Sequence, residues 1–232
     1  NVAGIEIENS YFADVYGNDS HDNTGGILVF GLPELQQEGG HDIRVHDNQI
    51  HDNNLPNFAP VGNIVGKVPA GTGSFVMAND KVEIFSNTFT NNQTAATAAV
   101  SYYVTSSPIN DPNYYAYPTN VYFHDNTYVG NGTHPDQTND LGLLLATGET
   151  KFQNSQIPDV LYDGILDSTK TTPPENPMQI CVKQPSSQVA NLHLDQIGQD
   201  GKTTLADTVV VDSAPFDCTL PAIAAVSFPG LN

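Results

Sequence analysis

Basic residues are scarce in this chain of 232 residues, where seven Lys and Arg oppose 26 Asp and Glu and the formal net charge is −19 at pH 7. Arg44 is the only arginine. A surface this acidic repels phosphate backbones and anionic lipid, which argues against nucleic acid or an anionic membrane surface as a partner. The same repulsion disfavours pectin or alginate as a ligand unless a bound cation lies between the two.

Long apolar runs and cysteines are also few. No stretch approaches the roughly 20 apolar residues of a membrane span, so we expect no membrane-spanning segment. In an oxidising compartment Cys181 and Cys218 would pair, stabilising the fold by roughly 3–4 kcal/mol; the alternative is two separate buried thiols. Residues 1–5 have the pattern of the middle of a strand, so we expect N-terminal rungs to be missing.

An internal repeat dominates the first 131 residues. Four segments of eleven residues begin at Ala13, Ile43, Val82 and Val121, and their first and third positions are apolar. This period of two predicts a strand with one buried face. The sixth and eleventh positions are always Asn: Asn18, Asn48, Asn87 and Asn126 at the sixth, and Asn23, Asn53, Asn92 and Asn131 at the eleventh.

Each copy is followed by a second apolar segment, predicted as a strand, at 26–30, 73–77, 98–102 and 142–146. Repeated short strands joined by turns predict an all-β, right-handed parallel β-helix, a solenoid of stacked rungs. Asn tolerates the left-handed backbone conformation of a corner, and stacked Asn side chains can hydrogen-bond from rung to rung. The sequence therefore predicts two asparagine ladders.

The repeat also sets the predicted domain organisation. Residues 1–149 are predicted to be rungs, with loop insertions that lie on two corners of the solenoid. One corner carries 31–42 and 103–120, and the other carries 54–72 and 132–141. After this region the pattern fades, and 150–232 is predicted to be a capping region that contains both cysteines and covers the open end, where unpaired strand edges favour aggregation.

Two stretches resemble a known family. The segments GGILVFGLPELQQEGGHDIRVHDNQIHDNNLPNFAPVGNIVGKVPAGTG and DPNYYAYPTNVYFHDN are similar to the bacterial secreted parallel β-helix repeat-containing proteins, within the wider pectin-lyase-like right-handed β-helix class. The resemblance extends to the PFDC segment around Cys218. It implies a secreted, periplasmic or cell-surface protein, often lipid-anchored through its N-terminus. It also implies that a protein resembling c-type-haem proteins is encoded beside it. The family's biochemical role is not established, so no catalytic residue is transferred.

A candidate metal site arises where two corners stack. Position nine of the first two repeats holds His21 and His51, and position ten holds Asp22 and Asp52. Two carboxylates about 5 Å apart repel, so one takes up a proton or a cation lies between them, and Ca²⁺ suits such oxygen ligands. The alternatives are a transition metal or acid–base pair, and solvated corner residues hydrogen-bonded along the ladder.

Two further rows of polar residues are predicted to be structural. The triplets that begin at His46 and His124 lie two rungs apart, too far for one metal centre, and are interpreted as surface ladders. Arg44 stacks between Asp14 and Glu83 as a charge ladder along one face. Exposed pairs of this kind contribute little to stability.

The loop at 103–120 is the candidate ligand-binding surface. Its tyrosines present flat amphipathic rings, which stack on sugar faces and anchor protein interfaces; the alternative is a loop packed onto its own scaffold. The candidate binding residues are Tyr103, Tyr114, Tyr115 and Tyr117.

The expected function is therefore carbohydrate binding or polysaccharide processing in a groove beside this loop. Lyases, hydrolases and epimerases of polysaccharides share the fold, but that is an analogy of fold alone. The alternative is a non-catalytic extracellular scaffold with a protein partner, to which the resemblance adds a c-type-haem protein. The acidic surface suits a basic partner of this kind.

Overall fold

The computed structural model describes residues 1–60, 62–184, 187–198 and 201–227. Within these ranges the strands are, in chain order, β1 (Ala3–Glu8), β2 (Asp14–Tyr16), β3 (Asp19–His21), β4 (Gly25–Phe30), β5 (His41–His46), β6 (Gln49–His51), β7 (Thr72–Met77), β8 (Asp80–Phe85), β9 (Thr88–Thr90), β10 (Ala95–Val100), β11 (Thr119–His124), β12 (Thr127–Val129), β13 (Val160–Tyr162), β14 (Ile180–Lys183), β15 (Val189–Asn191) and β16 (Val210–Val211).

The helices in the same ranges are short. The two α-helices are α1 (Asp140–Thr147) and α2 (Leu205–Thr208). The 3-10 helices are Ile64–Lys67, Tyr102–Thr105, Glu149–Lys151, Gln153–Ser155, Leu194–Gln196 and Ala214–Phe216. Among the helices described here, none has the length and apolar character to cross a bilayer.

The strands stack into three sheets, with the orders β1-β4-β7-β10-β13-β15-β16, β14-β11-β8-β5-β2 and β12-β9-β6-β3. Consecutive strands from β1 to β12 enter the first, second and third sheet in turn, so the chain winds as a solenoid. Neighbouring strands pair in parallel, apart from the antiparallel pair of β15 and β16. The predicted all-β parallel β-helix is confirmed.

The pairing register matches the register of the sequence repeat. Val15 of β2 is opposite Val45 of β5, which is opposite Ile84 of β8, and Ile84 is opposite Phe123 of β11. Val45, Ile84 and Phe123 are fully buried in the core that runs along the solenoid axis. Alternate apolar positions therefore fill the interior, as the period of two predicts.

Both predicted asparagine ladders are present and hydrogen-bonded. In the first, the Nδ2 of Asn48 donates to the Oδ1 of Asn87 at 2.9 Å, and Asn87 donates in the same way to Asn126 at 3.1 Å. In the second, Asn53 donates to Asn92 at 3.1 Å. These side chains are buried, so each ladder supplies partners for polar groups that water does not reach.

The left-handed corner positions are one residue earlier than the sequence predicted. Positive φ angles between 52° and 67° occur at the residue before each ladder asparagine, not at the asparagine itself. The asparagine is instead fixed by its bonds to the next rung. The corner residues are Gly17, Asp47, Ser86 and Asp125 in the first ladder and Asp22, Asp52, Asn91 and Gly130 in the second.

Residues 142–146, predicted as a strand, are in fact part of α1, and this prediction is wrong. The Oδ1 of Asn139 accepts a hydrogen bond from the N–H of Leu141 at 2.9 Å and caps the helix. Leucines have high helix propensity and no branching at Cβ, so an apolar run alone does not distinguish the two structures. The strand that follows β10 in the first sheet, on the side away from β7, is β13.

The sheets continue beyond residue 149. β13 and β15 extend the first sheet, and β14 pairs with β11 in the second. These strands fall within the region predicted to be a cap, of which residues 185–186, 199–200 and 228–232 lie outside the described residues. The predicted disulfide is present, with the sulfur atoms of Cys181 and Cys218 2.01 Å apart.

Candidate functional site

The outer face of the first sheet carries an apolar trough, and Ala98 forms its floor. Ala98 lies in register between Phe75 of β7 and Leu161 of β13. All three side chains point away from the solenoid core, because the alternate residues Val76 and Ala99 point into it. The small side chain between two large ones leaves a depression in the sheet surface.

Loops from distant parts of the chain wall this trough. The 3-10 helix Ile64–Lys67 and the following Val68 belong to the insertion between β6 and β7, and α1 contributes Leu144. Val104, just after β10, closes another side. Together they enclose a cavity of about 110 Å³.

A wider and more polar cavity of about 560 Å³ opens above the trough. The two share several wall residues, among them Val104 and Leu144, so they are adjacent. The polar side chains that line the outer cavity are Lys67, Tyr103, Thr105, Ser106, Thr138, Asn139 and Asp140.

Hydrogen bonds between loops hold the walls of the outer cavity together. The Nδ2 of Asn139 donates to the carbonyl of Lys67 at 3.2 Å, which joins the start of α1 to the opposite insertion. The backbone N–H of Ala70 donates to Asp136 at 2.9 Å. Because of these contacts, residues 62–72 and 132–141 form one connected wall.

Three of the four candidate tyrosines form an aromatic cluster beside the groove. Tyr103 lines the outer cavity and is 46% exposed. Its ring centroid lies 5.4 Å from that of Tyr117, and Tyr117 lies 5.4 Å from Tyr115. Burial and a hydrogen bond with Tyr103 raise the pKa of Tyr117 to about 12. The three rings therefore form one partly exposed patch, with Tyr103 at the groove.

Tyr114 differs from the other three because it packs onto the scaffold. Its hydroxyl donates to the carbonyl of Gly31 at 2.6 Å, and its ring contacts Tyr102 edge-on. Burial raises the pKa of Tyr114 well above its ordinary value. Tyr114 therefore matches the alternative interpretation of the sequence, in which the loop packs onto its own scaffold instead of presenting the ring to a ligand.

A buried carboxyl group that the sequence analysis missed supports the tyrosine loop. Asp163 follows β13, is fully buried, and accepts hydrogen bonds from the backbone N–H of Ser101 at 2.6 Å and of Ile165 at 3.2 Å. Burial raises its pKa to about 6. Ser101 precedes the 3-10 helix that carries Tyr103, so Asp163 helps to position the cluster. In the sequence, Asp163 and Gly164 directly follow an apolar run, and this Asp-Gly pair is the pattern that could have indicated the buried carboxyl group.

The candidate metal residues stack as predicted, on the third sheet. The rings of His21 and His51 are 5.0 Å apart, and each histidine lies within hydrogen-bonding distance of the aspartate that follows it, Asp22 at 2.9 Å and Asp52 at 2.8 Å. The hydrogen bond to Asp52 raises the pKa of His51 and lowers the pKa of Asp52.

Further bonds occupy the same corner. His51 also contacts Asp19 of the preceding rung at 2.9 Å, and the amide of Asn91 donates to Asp52. Within the described ranges, no group of three or more His, Cys, Asp or Glu side chains is placed to hold a metal ion. The Ca²⁺ site stays a prediction.

The outer face of the second sheet carries an ionic network. Arg44 donates to Asp14 at 2.6 Å, as the predicted ladder requires, and His46 lies 2.8 Å from the same carboxylate. Glu83 contacts His124 at 3.1 Å. Burial disfavours protonation of His124, but its hydrogen bonds to Glu83 and Asp125 outweigh this and raise its pKa.

One comparison with known proteins gives a match. Residues 1–111 match the family model described as a right handed beta helix region. Together with the parallel sheets, this confirms the predicted right-handed β-helix class; the narrower bacterial secreted family stays a prediction. No curated protein and no solved structure matches the chain.

Proposed function

We propose that the chain binds carbohydrate in the groove over the outer face of the first sheet. The observation that carries the proposal is the position of Tyr103, whose half-exposed ring lines a cavity that also contains three hydroxyl side chains, an amide, a carboxylate and an ammonium group. A sugar ring has an apolar face and a polar rim. A tyrosine beside several hydrogen-bonding groups matches both parts.

The aromatic cluster favours a ligand longer than one sugar. Tyr117 and Tyr115 continue the aromatic surface away from Tyr103, at ring separations of 5.4 Å. The Tyr115 hydroxyl donates to Asp167 at 2.9 Å, which fixes the orientation of its ring. A row of fixed rings suits successive residues of an oligosaccharide, because little side-chain entropy is lost on binding.

The charge of the chain favours a neutral glycan. Asp140 lines the cavity, Asp167 lies beside the aromatic cluster, and the whole chain carries a formal net charge of −19. Each of these repels a polyuronate. Lys67 is the one cationic side chain among the described residues that line the cavity.

The proposal concerns binding and not hydrolysis. Glycoside hydrolysis uses a pair of carboxyl groups that flank the scissile bond. Among the described residues that line the outer cavity, Asp140 is the one carboxylate. We also propose that the protein acts outside the cytosol, which the disulfide of Cys181 and Cys218 supports, since disulfides persist in oxidising compartments.

The experiment is retention of the protein on a panel of immobilised neutral and anionic polysaccharides. We expect retention on a neutral glycan, and Tyr103→Ala should abolish it while leaving the thermal melt unchanged. Tyr16→Ala is the matched control, because Tyr16 is also an exposed tyrosine, 62% accessible, but lies on the second sheet. Equal retention of the two variants would contradict the proposal.

A second candidate function is the docking of a basic protein. Exposed aspartates project from the corners on both sides of the third sheet: Asp22, Asp47 and Asp125, whose side chains are 65–75% accessible. A row of like charges steers an oppositely charged partner. The c-type-haem protein implied by the family resemblance is one such candidate. Salt-sensitive capture of a basic cytochrome, lost in Asp47→Asn with Asp125→Asn, would support this role.

A further inference from the structure

The trough beneath the proposed sugar site is too apolar to be a carbohydrate subsite. The outer face of a solenoid sheet ordinarily faces water, yet here β4 is buried along its whole length. Most of the side chains that line the trough are Leu, Val, Ile, Ala, Phe or Met. A saccharide hydroxyl placed there would lose its bonds to water without replacing them.

The threonine side chains that line the trough form hydrogen bonds within the protein. The Thr72 hydroxyl donates to the carbonyl of Pro69 at 2.8 Å, and the Thr94 hydroxyl donates to the carbonyl of Ala70. The Thr105 hydroxyl accepts from the N–H of Ser107 at 3.1 Å. The protons of the Thr72 and Thr94 hydroxyls are therefore already used within the protein, and an apolar cavity with few free hydrogen-bonding partners stays dry.

The residues that line the trough come from across the first sheet. They extend from Phe30 in β4 to Leu192, which follows β15. The strands β4, β7, β10, β13 and β15 are consecutive in the first sheet, so β4 and β15 lie four strand spacings, or about 19 Å, apart. A cavity of about 110 Å³ along such a path fits a linear chain better than a planar ring.

We infer that the trough holds a linear alkyl chain whose polar end lies in the outer cavity, so that the ligand is an alkyl- or acyl-bearing glycoconjugate. This inference rests on the proposed function. It follows from the adjacency of the two cavities, which share wall residues, and from the change in chemistry between them. Lys67, exposed at the rim and lining both, marks that boundary.

The experiment compares n-octyl β-D-glucoside, below its micelle concentration, with methyl β-D-glucoside and n-octanol by calorimetry. Each buried methylene strengthens binding about three- to four-fold, so we expect the octyl glucoside to bind at least about 100-fold more tightly than the methyl glucoside. Ala98→Leu fills the floor of the trough and should remove this advantage while leaving methyl glucoside binding unchanged.

A second variant covers the case in which Ala98→Leu fails to fold. Leu144→Asn places an amide in the wall, and Leu143→Asn is its matched control, because Leu143 lies on the same helix but is 47% exposed. Leu144→Asn should weaken octyl glucoside binding, and Leu143→Asn should not. Equal effects of the two substitutions would overturn the inference.

The outcomes separate this inference from the proposed function. If octyl and methyl glucosides bind with the same affinity, and Tyr103→Ala weakens both, the trough is unused and the inference fails while the sugar site stands. If n-octanol binds as tightly as octyl glucoside and Tyr103→Ala changes neither, the sugar is not recognised and both fail. Octyl glucoside binding that needs both Tyr103 and an open trough supports both.

Discussion

The backbone N–H of Ile223 donates a hydrogen bond to the Oε2 of Glu83 at 3.0 Å, across 140 positions of the chain. Three residues later, the N–H of Val226 lies 3.4 Å from the Oδ2 of Asp14. Asp14 and Glu83 lie two strands apart on the second sheet. The segment after Cys218 therefore runs back across the outer face of that sheet.

The charge of Glu83 holds this segment in place. Hydrogen bonds from His124 and Ile223 lower the pKa of Glu83 although burial opposes them, so it is ionised at neutral pH. In Glu83→Gln the bond from Ile223 loses its charged acceptor, and we expect about 1–2 kcal/mol lower free energy of unfolding. Hydrogen exchange should accelerate at the amides of 219–227. Glu6→Gln, on the first sheet, is the control; unchanged exchange in Glu83→Gln would contradict the assignment.

Asp163 should make stability depend on pH between about 4 and 7. Its pKa is about 6 in the folded protein and about 3.8 when unfolded, so between these values the folded state binds the extra proton. Its contribution is complete below the lower value and is lost as the pH rises through about 6, by on the order of 2–3 kcal/mol.

Asp163→Asn should therefore flatten the pH profile of the free energy of unfolding in this range. Chemical denaturation at several pH values measures it. Asp167→Asn is the control, because hydrogen bonds from Thr169 lower the pKa of Asp167 and its contribution is lost only at more acidic pH. A slope in Asp163→Asn equal to that of the wild type would show that this carboxyl group is not buried as described.

Each ladder asparagine should contribute more to stability than an exposed asparagine. Asn87 accepts from the backbone N–H of Asn48 at 3.1 Å and donates to the carbonyl of Val45 at 2.9 Å. Asn87→Ala leaves these buried groups unpaired, which we expect to cost about 3 kcal/mol in urea denaturation. Asn113→Ala, on the exposed loop, should change stability by less than about 0.5 kcal/mol. Similar losses in both would contradict the role of the ladder.

The Ca²⁺ prediction at Asp22 and Asp52 has a specific pH dependence. The raised pKa of His51 keeps it protonated at mildly acidic pH, where its charge competes with a cation for Asp52. Ca²⁺ should therefore raise the melting temperature at about pH 8.5 and not at about pH 5.5. The double variant Asp22→Ala with Asp52→Ala should lose the effect. Asp47→Ala with Asp125→Ala, in the other corner ladder, is the control, and identical melts in calcium and chelator would refute the site.

The rungs were predictable because their information is local and repeated. Each copy of the repeat has apolar residues at alternate positions and Asn at fixed positions. In the fold, equivalent positions of successive copies lie opposite each other on neighbouring strands. The helical conformation of the leucines in α1 was not predictable, since an apolar run without a period is compatible with strand and helix alike. The helix is favoured over a strand by the N-terminal cap at Asn139, which acts through one side-chain hydrogen bond.

The groove was predictable only in part. The tyrosine loop was predictable as a candidate binding surface, and Tyr103 of this loop lines the outer cavity. The trough was not found, because its floor depends on which face of β10 carries Ala98 and its walls come from loops that meet only after the rungs stack. The burial of Tyr114 depends on a contact with Gly31, 83 positions away, which no local pattern encodes.

The most direct test of the central claim is an NMR titration of the protein, labelled in its tyrosine rings, with a neutral oligosaccharide taken from the retained glycan. Binding in the groove predicts a saturable shift of the Tyr103 ring signals, with smaller shifts at Tyr117 and none at Tyr16. Saturation with unmoved Tyr103 signals, or the failure of every neutral glycan in the panel to bind, would contradict the account.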